Sequence, residues 1–194
     1  MTRIPQKDTF MNDHNAPGPD PAGNDRVLAV YDAAIKLAQR GYRVFPCRYG
    51  TKLPATPSGF HDASHDPLTV KAWFGGSRPF NVALATGRQP NGLNVVVFDL
   101  DVKGEHNGID SWERACRKGG TDPYYGVPVH ATPSGGVHLF MNGGPYDIGC
   151  MTNFLPGVDV RADGGYVLLP PSVILDRGTG EISEYRADEF GLES

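Results

Sequence analysis

The run Leu93-Asn-Val-Val-Val-Phe-Asp-Leu-Asp101 constrains the fold of this chain more than any other segment. Val95 to Phe98 are uninterrupted apolar residues, so neither face of the segment is polar. The pattern predicts a strand buried on both faces, hence near the middle of a sheet. The strand ends in two carboxylates, Asp99 and Asp101. Strand residues i and i+2 point to the same side, so both are expected to project together from the end of a rigid element. Two like charges that close repel, and each pKa rises unless a cation lies between them. A hard divalent ion such as Mg²⁺ or Mn²⁺ resolves the conflict through oxygen ligands. The plainer alternative is a pair of solvated carboxylates opening a loop.

The remaining pattern predicts few helices and many short strands. Val27, Leu28, Tyr31, Ala34, Ile35 and Ala38 recur at helical spacing over 26–40, with Asn24 or Asp25 as cap and Gly41 as stop. A strand over 42–46 follows, then a helix opened by Asp66-Pro67 and running through Trp73 and Phe74. Strands are expected over 81–86 and 93–101, and a helix over 108–118 that stops at Gly119-Gly120. Two strands, 127–132 and 136–141, flank a Pro-Ser-Gly turn. The segments 158–162 and 165–169 read as a hairpin through Asp163-Gly164, and 173–175 with 182–186 as a last pair. This content indicates an α+β domain and not a doubly wound parallel sheet. The expected organisation is a flexible lead-in over 1–24, rich in Pro, Asn, Asp and Gly, a domain over 25–186, and an acidic tail over 187–194.

Composition narrows the class further. A chain of 194 residues, 39% hydrophobic and 21% charged, suits one globular domain. No stretch approaches the roughly 20 apolar residues of a membrane span, and the N-terminus has no apolar signal region. A cytoplasmic location without membrane contact is the default expectation. Cys47, Cys116 and Cys150 are scattered and form no CxxC pair, which speaks against a disulfide framework and a zinc ribbon. The net charge of −4 and pI near 5.8 argue against a protein that coats nucleic acid. They leave room for a site that meets phosphates through bound cations.

Two further segments carry chemistry. In Thr132-Pro-Ser-Gly-Gly-Val-His138-Leu-Phe140, the Ser134-Gly135-Gly136 turn offers backbone N–H groups to an anion. His138 then lies in the following strand, either as a core residue or within reach of a phosphate held by that turn. In Gly157-Val-Asp159-Val-Arg161-Ala-Asp163, Asp159 and Arg161 share a strand face. They are either a plain ion pair or, in Asp159, the third carboxylate that a two-metal site would need. Asp163 is read as a turn former, and Tyr166 and Phe140 as core strand residues.

Together these blocks resemble the bifunctional primase/polymerase (prim-pol) domains of the archaeo-eukaryotic primase superfamily, found in replication proteins of plasmids, phages and integrated elements. The likeness runs from about Ala29 to Ser172. It rests on GYRVFPC with a following K.P (Gly41 to Pro54), NVALATG (Asn81 to Gly87), VVVFDLD, TPSGGVHLF and GVDVRADGGYVLLPPS in the family's order. The resemblance implies an α+β fold in which a catalytic sheet like that of RNA-recognition motifs packs with a smaller mixed lobe. It implies Asp99, Asp101 and Asp159 as ligands and catalytic groups around two Mg²⁺ or Mn²⁺ ions. Ser134, Gly135, His138, Arg161 and Lys52 would contact the nucleotide, with His138 also catalytic. The implied activity is template-directed nucleotidyl transfer from dNTPs or NTPs to a 3′-hydroxyl on a DNA template and primer. Helical priming and helicase domains of the same replication protein are the implied partners. The zinc-binding insertion of some relatives has no ligand cluster here. Rival readings are a haloacid-dehalogenase-like phosphatase, with Asp99 as nucleophile and Asp101 as acid/base, a metal-dependent nuclease, and a nucleotide-binding module without turnover.

Overall fold

A computed structural model of the chain describes residues 23–103 and 106–187. The lead-in up to residue 22 and the tail from residue 188 lie outside the described residues. In chain order the elements are α1 (Gly23–Gln39), β1 (Val44–Arg48), a 3₁₀ turn (Gly59–Asp62), α2 (Pro67–Phe74), β2 (Phe80–Ala85), β3 (Gly87–Arg88) and β4 (Asn94–Leu100). Then come β5 (Val102–Lys103), β6 (His106–Asn107), α3 (Gly108–Gly119), β7 (Val129–Ala131), β8 (Val137–Asn142), β9 (Met151–Leu155) and β10 (Val158–Arg161). The last are β11 (Tyr166–Leu168), β12 (Val173–Leu175), β13 (Ile182–Glu184) and β14 (Arg186–Ala187). The α+β class expected from the pattern is the class observed.

Local chemistry sets the helix ends. Asp66 accepts from the N–H groups of Leu68 and Thr69 at 3.3 and 3.1 Å, and Pro67 takes the first helical position. Asn107 caps α3 by accepting from Ile109 and Asp110, and Gly120 ends it at φ +68°. Helix α1 starts at Gly23, before the expected cap, so Asn24 and Asp25 lie in its first turn. There the Asp25 carboxylate favours the positive end of the helix dipole.

Two sheets build the core. The larger orders its strands β14-β7-β8-β4-β10-β9, with β3 also paired to β4; the smaller is β1-β2-β11. Strand β4 is central, and both main neighbours, β8 and β10, run antiparallel to it. Its two faces do different work. Val95 and Val97 join Phe140 of β8 in a core with Val30, Leu37, Val82 and Leu84, which locks α1 and the small sheet onto the large one. Leu100 and Phe98 face the other way, against Trp112 of α3, Leu139 and Val158. The double burial expected of this strand is therefore real, and α3 supplies half of it.

Two pairings differ from expectation. Segments 158–162 and 165–169 do not form a hairpin: β10 pairs with β4 and β9 in the large sheet, while β11 pairs with β2 in the small one. Asp163-Gly164 turns the chain between sheets. A turn signal fixes a reversal of direction, but partner choice follows burial, and Val167 and Leu168 each fill a core beside the small sheet. Strand β9 has no counterpart in the sequence pattern: four of its five residues are exposed, so it carries no core-face alternation. Strands β12 and β13 pair as expected, but the strand expected over 182–186 ends at Glu184, and Arg186 pairs with Ala131 of β7 in the large sheet.

Candidate nucleotide-binding cleft

The site is the place where the apolar contact between the sheets turns polar. Along β4 the inward face reads Val95, Val97, Asp99, and along β8 it reads Phe140, then His138. Register aligns four strands at this level: His130 of β7 opposes His138 of β8, His138 opposes Asp99 of β4, and Asp99 opposes Asp159 of β10. Directly opposed residues of antiparallel strands are close neighbours. Residues far apart in sequence, Asp99 and Asp159 at the extremes, thus become one transverse polar row by the pairing rules of a sheet.

Asp99 is only 7% exposed and His138 2%. His138 Nε2 lies 3.4 Å from Asp99 Oδ1, and Arg161 Nε lies 4.0 Å from Asp99 Oδ2. Burial alone would raise the Asp99 carboxyl, but the His138 hydrogen bond and the charges of His138, Lys52 and Arg161 outweigh it. They hold the group below its ordinary value, so it is ionised in a largely buried setting. Arg161 Nη2 donates to Asp159 Oδ2 at 2.8 Å, and the Asn153 N–H donates to Asp159 Oδ1 at 2.9 Å. One guanidinium therefore bridges the two carboxylates.

Asp101 stands just past the strand, yet its backbone is fixed at both ends. Its N–H donates to Gly157 O at 2.9 Å and its carbonyl accepts from Gly108 N–H at 2.8 Å. A Cβ on Gly136 would collide with the Leu100 carbonyl oxygen, so the β7–β8 turn presses directly on the end of β4. Only glycine allows that approach.

A cavity of about 340 Å³ opens over this row, lined by Lys52, Asp99, His138, Cys150, Arg161, Gly164, Tyr166 and Tyr185 among others. Lys52 belongs to the small-sheet side, where its carbonyl accepts from Tyr166 Oη at 3.0 Å. Asp99, His138, Arg161 and Lys52 thus meet around one cleft, and Asp159 joins them through Arg161. Ser134 and Gly135 sit on the exposed β7–β8 turn, outside the cavity lining. The Gly135 N–H closes that turn onto Thr132 O at 3.0 Å and is already used. The Ser134 hydroxyl lies 3.2 Å from that of Thr132.

Three participants had no sequence signal of their own. Tyr166, read as a core residue, forms part of the cleft wall; Phe140 is core as expected. Tyr185 lies 5.7 Å, ring to ring, from His138, and burial with the charges of Asp99 and Asp101 raises its phenol pKa. His130 is buried behind His138, its ring 4.5 Å from Phe140. The hairpin register around Pro-Ser-Gly could have placed His130 opposite His138; nothing local marks Tyr185.

The donor chemistry suits a hard divalent cation: Asp99 offers carboxylate oxygens to the cavity, and Asp101, just past the strand and outside the cavity lining, brings a second carboxylate whose charge is felt by Tyr185. Among the described residues no three His, Cys, Asp or Glu side chains converge as a ready ligand cluster. Asp159 in particular has both oxygens engaged by Arg161 and Asn153.

In this two-sheet α+β domain a buried ionised carboxylate stands beside a histidine, an arginine and a lysine, groups whose charges suit phosphate. The chain belongs to the bifunctional DNA primase/polymerase family, whose N-terminal domain model matches residues 34–189 and so contains every residue of the cleft. Membership makes it a nucleotidyltransferase-type domain of the primase/polymerase kind. No curated protein matches the chain significantly. The phosphatase alternative falls with the topology as well, since it required a doubly wound parallel sheet and β4 is antiparallel to β8 and β10. No helix among the described residues is long and apolar enough to cross a membrane.

Proposed function

We propose that this cleft joins dNTPs or NTPs to a primer 3′-hydroxyl on a DNA template, with Asp99 and Asp101 as the principal ligands of Mg²⁺ or Mn²⁺ and Asp159 completing the set. The observation that carries the reading is the ionised, buried Asp99 facing Arg161, His138 and Lys52 across one cavity. A bound divalent cation would supply Lewis-acid activation of the hydroxyl and charge neutralisation on the departing pyrophosphate.

The chain's own groups do the positioning. Arg161 and Lys52 bring positive charge to the cavity and would bind the triphosphate, Arg161 by paired N–H donors. For Asp159 to become a ligand, Arg161 must leave its carboxylate, and the triphosphate offers the guanidinium an alternative anion. His138, held against Asp99 and packed beside the Tyr185 ring, would donate a hydrogen bond to a phosphate oxygen. Ser134 and Gly135, at the turn that abuts the end of β4, would reach the nucleotide from its edge. Little covalent work falls to the protein in such a transfer; orientation and electrostatics do most of it.

Binding of a fluorescent nucleoside triphosphate tests this reading. Affinity is expected to need Mg²⁺ or Mn²⁺, to vanish with chelator, and to fall about tenfold or more in Arg161→Ala, the scale of a lost charge-assisted hydrogen bond. Equal binding by Arg161→Ala would contradict the assigned role. Helical priming and helicase domains of a phage, plasmid or integrated-element replication protein are the partners that this function calls for.

A further inference from the structure

A second cavity of about 340 Å³ lies beside the first and is lined by Arg43, Arg88, Asn94, Tyr146, Asp147 and Asp163, among others. The two are neighbours along the chain. Asp163 and Gly149 line the second, whereas Gly164 and Cys150, the very next residues, line the first. Gly149 and Asp163 form a parallel bridge, so a single backbone ridge separates the cavities. A Cβ built on Gly149 or Gly164 would meet nothing within 4 Å, which leaves the ridge low and open to an approaching chain.

The lining has the parts that hold a nucleotide unit. Arg43 enters β1, where its N–H donates to Gln89 Oε1 at 2.9 Å and its Nη2 to Thr86 O at 3.4 Å. Its Nε is buried without a hydrogen-bond partner, a donor that costs stability unless something accepts from it. Arg88 Nη2 donates to Pro145 O at 2.8 Å and pairs with Asp147 at 2.7 Å. That pair lies in solvent, with the Asp147 side chain 94% exposed, so a phosphate can compete for the guanidinium at little cost. Tyr146 is 72% exposed, and its carbonyl is pinned by Asn94 Nδ2 at 2.8 Å. An exposed aromatic ring on a fixed backbone, lining the same cavity as two guanidinium groups, supplies the parts of a base-stacking platform with its phosphate contacts.

We propose that this second cavity holds a nucleotide of the single-stranded nucleic acid whose neighbouring part lies in the first, its phosphate on Arg43 and Arg88 and its base on Tyr146. The inference rests on the nucleotidyl-transfer reading of the first cleft and extends it to the path of the strand. The acidic balance of the chain, −4 overall, fits a short local track and not a long basic groove.

The test uses fluorescence anisotropy with two probes: a single-stranded oligonucleotide of about 12 nucleotides, within the roughly 4–16 nucleotides covered by such surfaces, and a labelled nucleoside triphosphate with Mn²⁺. Arg88→Ala and Tyr146→Ala change exposed side chains and are expected to leave folding and triphosphate binding intact. Each should weaken oligonucleotide binding about five- to tenfold, and Arg88→Ala should also flatten the salt dependence by about one phosphate contact. Conversely, Asp99→Ala should lose the triphosphate and keep the oligonucleotide. Oligonucleotide binding unchanged in both Arg88→Ala and Tyr146→Ala overturns the proposed path. Wild-type protein that binds triphosphate and no oligonucleotide overturns it alone, and failure to bind either probe removes the reading of the first cleft as well.

Discussion

At the scale of single residues, the site turns on charges that burial would oppose if they stood alone. Asp99 stays ionised because His138, Lys52 and Arg161 surround it, and Asp101 follows on a backbone held by Gly108 and Gly157. Asp101→Ala is expected to lower nucleotide incorporation by at least about 10²-fold, the scale of losing one preorganised charge-stabilising group, while its unfolding midpoint stays near that of wild type. Turnover near the wild-type rate would contradict its role as a ligand. His130 behaves differently. Desolvation, helped by the charge of His138, pushes its pKa from 6.5 down to about 3. The unfolded chain therefore takes up a proton that the folded one refuses. Stability attributable to this residue is intact above about pH 6.5 and is lost as pH falls toward 3, at up to about 1.4 kcal/mol per pH unit. His130→Phe should flatten the pH dependence of the urea midpoint over that window; an unchanged slope would contradict the neutral buried state.

At the scale of elements, β4 holds its place by being packed on both faces and gripped at its end. Trp112 of α3 supports Leu100 from below, its Nε1 donating to Pro123 O at 3.1 Å. Gly108 opens α3 where a Cβ would collide with the Gly157 carbonyl oxygen and stand 2.9 Å from that of Asp101. Gly108→Ala should therefore displace Asp101, with a destabilisation of about 1–3 kcal/mol typical of overpacking and a larger proportional loss of activity. Denaturant melts beside initial rates would separate the two effects, and full activity would contradict the clamp. These elements also show what a sequence discloses. The strand of Val95 to Asp101 was legible because continuous apolarity has few other meanings, and α2 and α3 because their caps are local. The hairpin expected through Asp163-Gly164 failed because a turn says nothing about which sheet receives the next strand. The edge strand β9, with exposed residues along most of its length, offered no pattern to read.

At the scale of the whole molecule, two sheets share a core over Val95, Val97 and Phe140 and part company at Asp99 and His138. Asp99, His138, Asp159 and Arg161 could be singled out from their segments. Their union in one row depends on long-range register between β8, β4 and β10, which no local window contains. Tyr185 reaches the cleft from near the end of the described chain, and Tyr166 from the opposite sheet, so both escaped a segment-by-segment reading. The central claim is that this cleft extends nucleic acid strands, and extension of a labelled primer on a DNA template tests it most directly. With dNTPs or NTPs and Mg²⁺ or Mn²⁺, template-directed products are expected from the wild-type domain and none from Asp99→Ala/Asp101→Ala. A primer shortened instead of lengthened, or extension that persists in the double variant, would contradict it.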